Sequence, residues 1–491
     1  MSVKNYLACD LGAESGRVML GTLSDGKITL KEYHRFPSAV VTIGGSLRWN
    51  ILQIFEEIRV GLRAAAKEGL PISAVSTDSW GVDYVLIKEG EPCLTIPFHY
   101  RDGRTDDGFA RVFAKVAKDA IFESTGIQFM PFNTIFQLND DAEKRADILG
   151  LSDGFLNIAD YLNYLMSGVA RAEESLASTT QLYNPRTKTW AWDLVSAIGL
   201  KDSLFPKVVP SGTVLGPLLP ELAQSTGLSG VQVVATCSHD TGAAIAAVPA
   251  EGEDWAYLSS GTWSLLGVEC SQPIINEKSR ALNFTNEMGY GGTTRFLKNI
   301  IGLWIIQECR RTWAAEGQEF DYGTLTRLAA GAPALRSLIF PDAPQFSKPG
   351  GMPEKIAAYC RASGQPVPAS PGEFVRCAID SLALLYRKTL EELISATGTP
   401  INRLHIVGGG SRNGVLNQAA ADATGRTVLA GPVEATALGN VLIQALALGH
   451  LSSVSELRSI VKYSFESEIY TPSQAPEWEQ AFQRFEKLPQ E

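Results

Sequence analysis

Histidine and cysteine are scarce in this chain of 491 residues, with five of the first and seven of the second. The cysteines are scattered, odd in number and never spaced as CxxC, a pattern that points to reduced thiols in a cytoplasmic protein. No His/Cys cluster has the spacing of a zinc site. No apolar run is long enough to span a bilayer, which excludes a membrane partner. Met1–Asn5 has no long apolar stretch behind it, so residues 6–9 read as a short strand and not as part of a signal peptide. Positive charge is in deficit: 43 Lys and Arg stand against 53 Asp and Glu, a formal net charge of -10. With no basic stretch to follow a phosphate backbone, nucleic-acid binding is excluded, whereas a single nucleotide needs only a few local donors. The G-x-G-x-x-G dinucleotide fingerprint is missing, since Gly414 is misplaced after Gly408-Gly409-Gly410 and no acidic residue follows at the required distance. No Ser-His-Asp set has elbow geometry. Low-complexity segments and short-period repeats are lacking as well.

What remains is an ordinary globular composition, 45% hydrophobic and 20% charged, in a chain too long for one core. Two domains are expected, 1–247 and 248–491, with the boundary near 245–252. Strand and helix signals alternate, as in α/β architecture. Ile28–Phe36, Ile72–Asp78, Tyr84–Ile87, Val231–Thr236 and Arg403–Val407 read as strands. Apolar residues at helical spacing mark Ile51–Glu68 and Ser381–Thr397, and Ala243–Ala247 and Asn413–Thr424 read as helices.

Glycine is where the sequence is most specific. Asp10-Leu11-Gly12-Ala13-Glu14-Ser15-Gly16-Arg17 follows the apolar run Tyr6–Cys9, and Ser259-Ser260-Gly261-Thr262-Trp263-Ser264 follows Trp255–Leu258. In both, an apolar strand enters a small-residue turn and leaves as another, which is a β-hairpin with backbone N–H groups at its tip. Such a tip holds phosphate oxygens without a Walker lysine. Two of them in one chain suggest two related halves around one nucleotide. Asp10, at the first strand's end, suits water-mediated Mg²⁺ binding, though an Asp-Gly turn needs no ligand. In Ser238-His239-Asp240-Thr241, Asp240 ends a strand and opens a helix, where open α/β sheets bind ligands. Its carboxylate can take a hydroxyl proton during phosphoryl transfer, or it can cap the helix. His239 can meet a sugar hydroxyl or a backbone carbonyl. Gly408-Gly409-Gly410, between strand and helix, permits close approach to a nucleotide or only an unusual loop. Asp78–Asp83 and Tyr100–Thr105 mix aromatic and charged groups, as polyol sites and salt-bridged turns both do. Cys360 and Cys377 are read as two free thiols.

Taken in order, the motifs resemble the FGGY carbohydrate kinase family of the actin/hexokinase/heat-shock ATPase superfamily. The residues that carry the resemblance are Asp10–Ala13 with Ser15–Arg17, Trp80–Asp83, Gly126–Phe129 with Pro131–Thr134, Ser238–Thr241, Leu258–Ser264, Leu297–Ile300 with Gly302–Trp304, and Gly431–Ala435. The likeness runs from Tyr6 to about Tyr470. It implies two RNase-H-like domains flanking a deep catalytic cleft. It further implies phosphorylation of a small ketose, L-rhamnulose, at O1 by ATP, with Mg²⁺. By motif match, Asp240 is the base, Gly81 and His239 contact the ketose, and Asp10 serves the metal. Ala13, Glu14, Ser15, Gly16 and Arg17 wrap the phosphates, and Thr262, Asn299, Gln307 and Gly409 complete the nucleotide site. Glu14 departs from the small residue usual in that hairpin, which sets a negative charge near the phosphates unless it points away. The resemblance also implies a disulfide at Cys360 and Cys377, so that pairing stays open. A monomer or small homo-oligomer is expected. A kinase for L-fuculose or xylulose, and a nucleotide-gated sugar sensor, are the alternatives.

Overall fold

The computed structural model describes residues 3–473 and 476–490. The chain divides into two compact units. The first comprises Met1–Pro249, Glu269–Phe296 and Ala435–Ser464; the second comprises Ala250–Val268, Leu297–Glu434 and Phe465–Glu491.

The first unit is built on a six-stranded sheet in the order Thr213–Pro217, Gln232–Ala235, Ile72–Asp78, Lys4–Leu11, Ser15–Ser24, Lys27–Pro37. Lys4–Leu11 pairs antiparallel with Ser15–Ser24 and parallel with Ile72–Asp78, which in turn runs parallel to Gln232–Ala235. Central parallel strands are covered on both faces and therefore read as continuous apolar runs; Tyr6, Leu7, Ala8 and Cys9 are all fully buried. Helix Ile51–Ala66 lies over this sheet. Asn50 starts it by accepting the Gln53 N–H, and Ile51, Ile54, Ile58, Leu62 and Ala65 form its buried stripe. Each large aliphatic side chain so buried contributes about 1.5–3 kcal/mol. Gly61 permits the contact, because a Cβ there would sit 2.4 Å from Val18.

In the second unit the same pairing recurs. Trp255–Ser260 is antiparallel to Trp263–Cys270 and parallel to Arg403–Val407, which is parallel to Thr427–Ala430, which is antiparallel to Glu468–Tyr470. Trp255–Ser260 thus takes the place of Lys4–Leu11, and Arg403–Val407 that of Ile72–Asp78. This duplicated α/β topology matches the two RNase-H-like halves expected.

The longest helix is Pro371–Thr397, 27 residues, ten longer than the amphipathic stretch read from Ser381. Its start is set by Ser370, which accepts the Glu373 N–H, and by Pro371 in the first turn. Pro371-Gly372 looks like a turn in isolation, yet Gly372 is needed because a Cβ would meet the Leu328 carbonyl at 2.6 Å.

Candidate functional site

In the first unit, parallel strands deliver three carboxylates to one end of the sheet. Asp10 and Asp78 are register partners at the ends of adjacent strands. The turn after Gln232–Ala235 carries His239 and Asp240, and it is stitched to the neighbouring strand end: Ser79 N–H donates to the Ser238 carbonyl and Asp240 N–H to the Ser79 carbonyl, both at 2.9 Å.

The Gly12–Ser15 tip is closed by Gly12 N–H to the Ser15 carbonyl at 3.0 Å, and Ser38 Oγ donates to the Gly12 carbonyl at 2.6 Å. Ala13 and Ser15 are half-buried, while Glu14 is exposed, so the departing residue faces solvent. A Cβ at Gly16 would lie 2.5 Å from the Phe36 ring. Arg17 directs its guanidinium at Asp10 Oδ2, with Nη2 at 2.7 Å and Nε at 3.1 Å.

Asp78 is fully buried. Asn440 Nδ2 donates to its Oδ2 at 2.6 Å, and Gln444 bridges Asn440 Oδ1 (2.7 Å) and the Leu7 carbonyl (2.9 Å). Asp78 Oδ1 has no hydrogen-bond partner. Burial, and then the negative charge of Asp10, push the Asp78 carboxyl well above the usual aspartate range.

Asp240 is the first residue of helix Asp240–Ala246, and His239 occupies the N-cap position without a side-chain cap bond. The helix-cap reading of Asp240 is therefore corrected: its side chain keeps 29% exposure, with Oδ1 accepting the Thr241 N–H at 2.5 Å. Burial raises its carboxyl, and the adjacent His239 opposes the rise. His239 Nδ1 lies 3.0 Å from Arg295 Nη2 and 3.3 Å from Glu287 Oε2, and Nε2 lies 3.5 Å from Asp240 Oδ1. Behind this turn, buried Glu173 accepts the Ser238 N–H at 3.0 Å and the Ser175 and Ser211 hydroxyls, and Ser175 Oγ accepts the His239 N–H at 3.0 Å.

Gly81 packs on Thr179, whose Oγ1 would be 2.8 Å from a Cβ. Val82, a β-branched residue, is held at φ 68°, the kind of backbone strain that clusters at binding sites. Its N–H donates to Thr179 Oγ1, and its carbonyl accepts from Thr134 Oγ1 at 2.7 Å. Asp83 is committed to structure: its carboxylate accepts from Trp49, Trp80, Gln137 and the Tyr100 N–H. Two residues of Tyr100–Thr105 make structural bonds as well. Asp102 binds the Leu47 N–H, and buried Arg104 pairs with Asp141 at 2.5 Å.

In the second unit, Gly261 N–H donates to the Trp263 carbonyl at 2.9 Å, closing the second tip. The Thr262 carbonyl accepts the Gly302 and Trp304 N–H groups, both at 3.2 Å, and the Gln307 N–H donates to the Leu303 carbonyl, so Thr262 and Gln307 share one corner. Gln307 Oε1 is buried without a partner, and Asn299 is half-buried in strand Thr294–Ile301. Gly410 lets the loop touch Ser260, whose Oγ would be 2.0 Å from a Cβ, while Gly409 has nothing within 4 Å. Gly409 and Gly410 open a short turn of 3₁₀ helix, Gly409–Arg412, and helix Gly414–Thr424, which Asn413 caps, follows it. The helix end thus begins past the glycines instead of at them. Cys360 and Cys377 are free, buried and within hydrogen-bonding reach of each other. Among the described residues, no group of three or more His, Cys, Asp or Glu side chains is placed to hold a metal directly, and no helix is long and apolar enough to cross a membrane.

Residues 5–247 match the N-terminal domain, and residues 256–448 the C-terminal domain, of the FGGY family of carbohydrate kinases. The chain belongs to this family. Its relatives include a rhamnulokinase of Bacteroides thetaiotaomicron, 41% identical over 98% of this chain and 99% of that one. Another, from Enterococcus faecalis, is 42% identical over 95% and 94%. Among solved structures, a gluconate kinase from Lactobacillus acidophilus shares the fold at a TM-score of 0.80 and 17% identity, covering 99% of this chain and 96% of that one. A Plasmodium falciparum glycerol kinase with ADP does so at 0.79 and 14%, covering 99% and 97%. As a member of the FGGY family, the chain is a sugar kinase, a phosphotransferase with a small-molecule acceptor.

Sequence reading missed Arg295, Glu287, Glu173 and Asn440. Each is a polar residue buried in the first unit beside a site residue, and no local pattern announces it.

Proposed function

We propose that this chain phosphorylates L-rhamnulose at O1, using ATP and releasing ADP, with Asp240 as the base. Support for the acceptor comes from the rhamnulokinases at 38–42% identity that align over at least 95% of the chain. The observation that carries the mechanism is the Asp240 carboxylate. It is partly exposed, fixed through Oδ1 by Thr241, and raised by burial above the ordinary aspartate range. A carboxylate raised in this way is a better proton acceptor than an ordinary aspartate.

The Asp10 and Asp78 pair fits a hard divalent cation. Both offer carboxylate oxygen at one end of the sheet, and Asp78 Oδ1 is buried without a partner. Mg²⁺ carried with ATP would be held through its water shell by Asp10, and it supplies positive charge against the phosphates.

The protein's own part is positioning and proton transfer. Asp240 orients the O1 hydroxyl; as O1 attacks the γ-phosphorus and ADP leaves, the O1 proton passes to the carboxylate. His239 and the backbone at Gly81 contact the ketose. The backbone of Ala13–Arg17, with Thr262, Asn299, Gln307 and Gly409, contacts the nucleotide. Arg17 contributes by fixing Asp10. ADP release with Mg-ATP, compared across L-rhamnulose, L-fuculose, L-xylulose, D-xylulose, glycerol and no sugar, tests this reading. Strong stimulation by L-rhamnulose is expected. Better stimulation by another polyol overturns the acceptor, and no stimulation by any of them favours a nucleotide-gated sensor.

A further inference from the structure

We propose that Arg295 is a positioning residue that locks His239 as its Nε2–H tautomer, so that the ring edge facing Asp240 can only donate a hydrogen bond. The role of His239 toward the ketose rests on the functional reading above; the tautomer does not.

The argument begins with donor counting. A guanidinium has five N–H donors, no acceptor, and never loses its charge. Arg295 Nη2 approaches His239 Nδ1 to 3.0 Å. Nδ1 must therefore offer its lone pair, and a neutral imidazole then carries its single hydrogen on Nε2. The competing arrangement places the hydrogen on Nδ1, aimed at Glu287 Oε2 at 3.3 Å. That arrangement sets two donors against each other at the shorter Arg295 contact, inside a site where Arg295 has no exposure. Glu287 Oε2 is meanwhile 3.1 Å from the same Nη2, so the carboxylate already balances the guanidinium charge.

Neither partner can move away. Arg295 Nε donates to the Met288 carbonyl at 3.1 Å, and the guanidinium packs against Gly242, where a Cβ would stand 3.6 Å from Nη2. The His239 backbone is pinned by Ser175 and by its bridge to Ser79. Burying an arginine is a poor way to stabilise a core, whereas fixing a ring beside a reacting carboxylate is a use that arginine's donor-only chemistry suits. With Nε2–H 3.5 Å from Asp240 Oδ1, His239 does not compete for the hydroxyl proton. It presents a donor to an acceptor oxygen of the sugar and leaves proton removal to Asp240.

The test is two-bond ¹H–¹⁵N correlation on the full chain labelled with ¹⁵N-histidine, near neutral pH. Only five histidines contribute, and His239→Gln assigns the signal. A pyrrole-type Nε2 with a pyridine-type Nδ1 is expected, and Arg295→Met should lose this pattern. Because that change removes the guanidinium beside the Glu287 carboxylate, Arg295→Met/Glu287→Gln is measured beside it and should lose the pattern too. A hydrogen on Nδ1 in the unmodified protein, or an unchanged pattern in both variants, overturns the proposal. In the same variants the KM for the ketose should rise about tenfold, the worth of one hydrogen bond, with the KM for ATP unchanged. An equal rise in both constants refutes a role at the sugar. An Nε2–H ring in a protein that no ketose stimulates supports the tautomer lock and overturns the functional reading alone.

Discussion

Gly439 is the position where one methyl group should do the most damage. It lies on helix Ala435–Ala447, which packs on helix Asp240–Ala246 within the first unit. A Cβ at Gly439 would stand 1.8 Å from the Ala243 carbonyl oxygen, against 3.4 Å for ordinary contact, so the helices must part by about 1.6 Å. The obstacle is backbone and cannot rotate aside. The next residue, Asn440, holds Asp78, and the opposing helix begins at Asp240. Separating the helices therefore moves Asp240, the proposed base, away from the Asp10 and Asp78 strand ends. Overpacking of this kind costs about 3 kcal/mol, the upper end of its usual range. At roughly 2 °C per kcal/mol for a unit of this size, Tm falls by about 6 °C. A displacement of 1 Å or more at a reacting group lowers turnover by about 100-fold. Thermal unfolding of Gly439→Ala together with coupled ADP release reads both effects. Unchanged Tm and turnover would refute the close packing of these helices and its link to Asp240.

Other changes have distinct signatures. Burial holds the Asp78 carboxyl high, and such a group stabilises the fold fully below its unfolded value, then loses that contribution as pH rises through the folded value. Asp78→Asn removes the cost and keeps an acceptor for Asn440, so in EDTA its Tm should exceed that of the parent by a margin that grows as pH rises above about 4; a constant deficit contradicts this. Trp49→Phe removes the 2.6 Å donor to Asp83 Oδ2 and leaves a void, costing about 2–4 kcal/mol by denaturant unfolding. A loss under 0.5 kcal/mol would show that Asp83 is satisfied without it. Gly409→Ala meets nothing within 4 Å, so Tm should hold while the KM for ATP rises; a stability loss with unchanged KM would remove Gly409 from nucleotide contact.

Legibility followed the range of the interactions. Ile72–Asp78, Tyr84–Ile87 and Arg403–Val407 keep the bounds read from the sequence, because strand propensity and burial agree there. Both glycine tips are hairpins because small residues at fixed positions leave the chain few other turns. The Pro371–Thr397 start was obscured by Pro-Gly, whose meaning depends on Leu328 in another helix. Asp78–Asp83 mixed two roles that only tertiary contacts separate: Asp83 serves Trp49 and Trp80, whereas Asp78 faces Asp10. Arg295 was invisible because a basic residue in a strand looks like a solvated one. Its burial depends on His239, 56 residues earlier in the chain. Asn440 lies 362 residues from Asp78, and no local pattern links positions so far apart.

The assignment of proton removal to Asp240 is tested most directly by steady-state ADP release from Asp240→Asn with saturating Mg-ATP and L-rhamnulose, alongside ketose binding by calorimetry. Asparagine keeps the shape but cannot accept the proton. Binding should persist while kcat falls by about 10²–10⁴-fold. In the parent, the acid limb of kcat should lie above the ordinary aspartate range, because burial raises this carboxyl and activity is lost as pH falls through it. Near-normal turnover by Asp240→Asn would contradict Asp240 as the base.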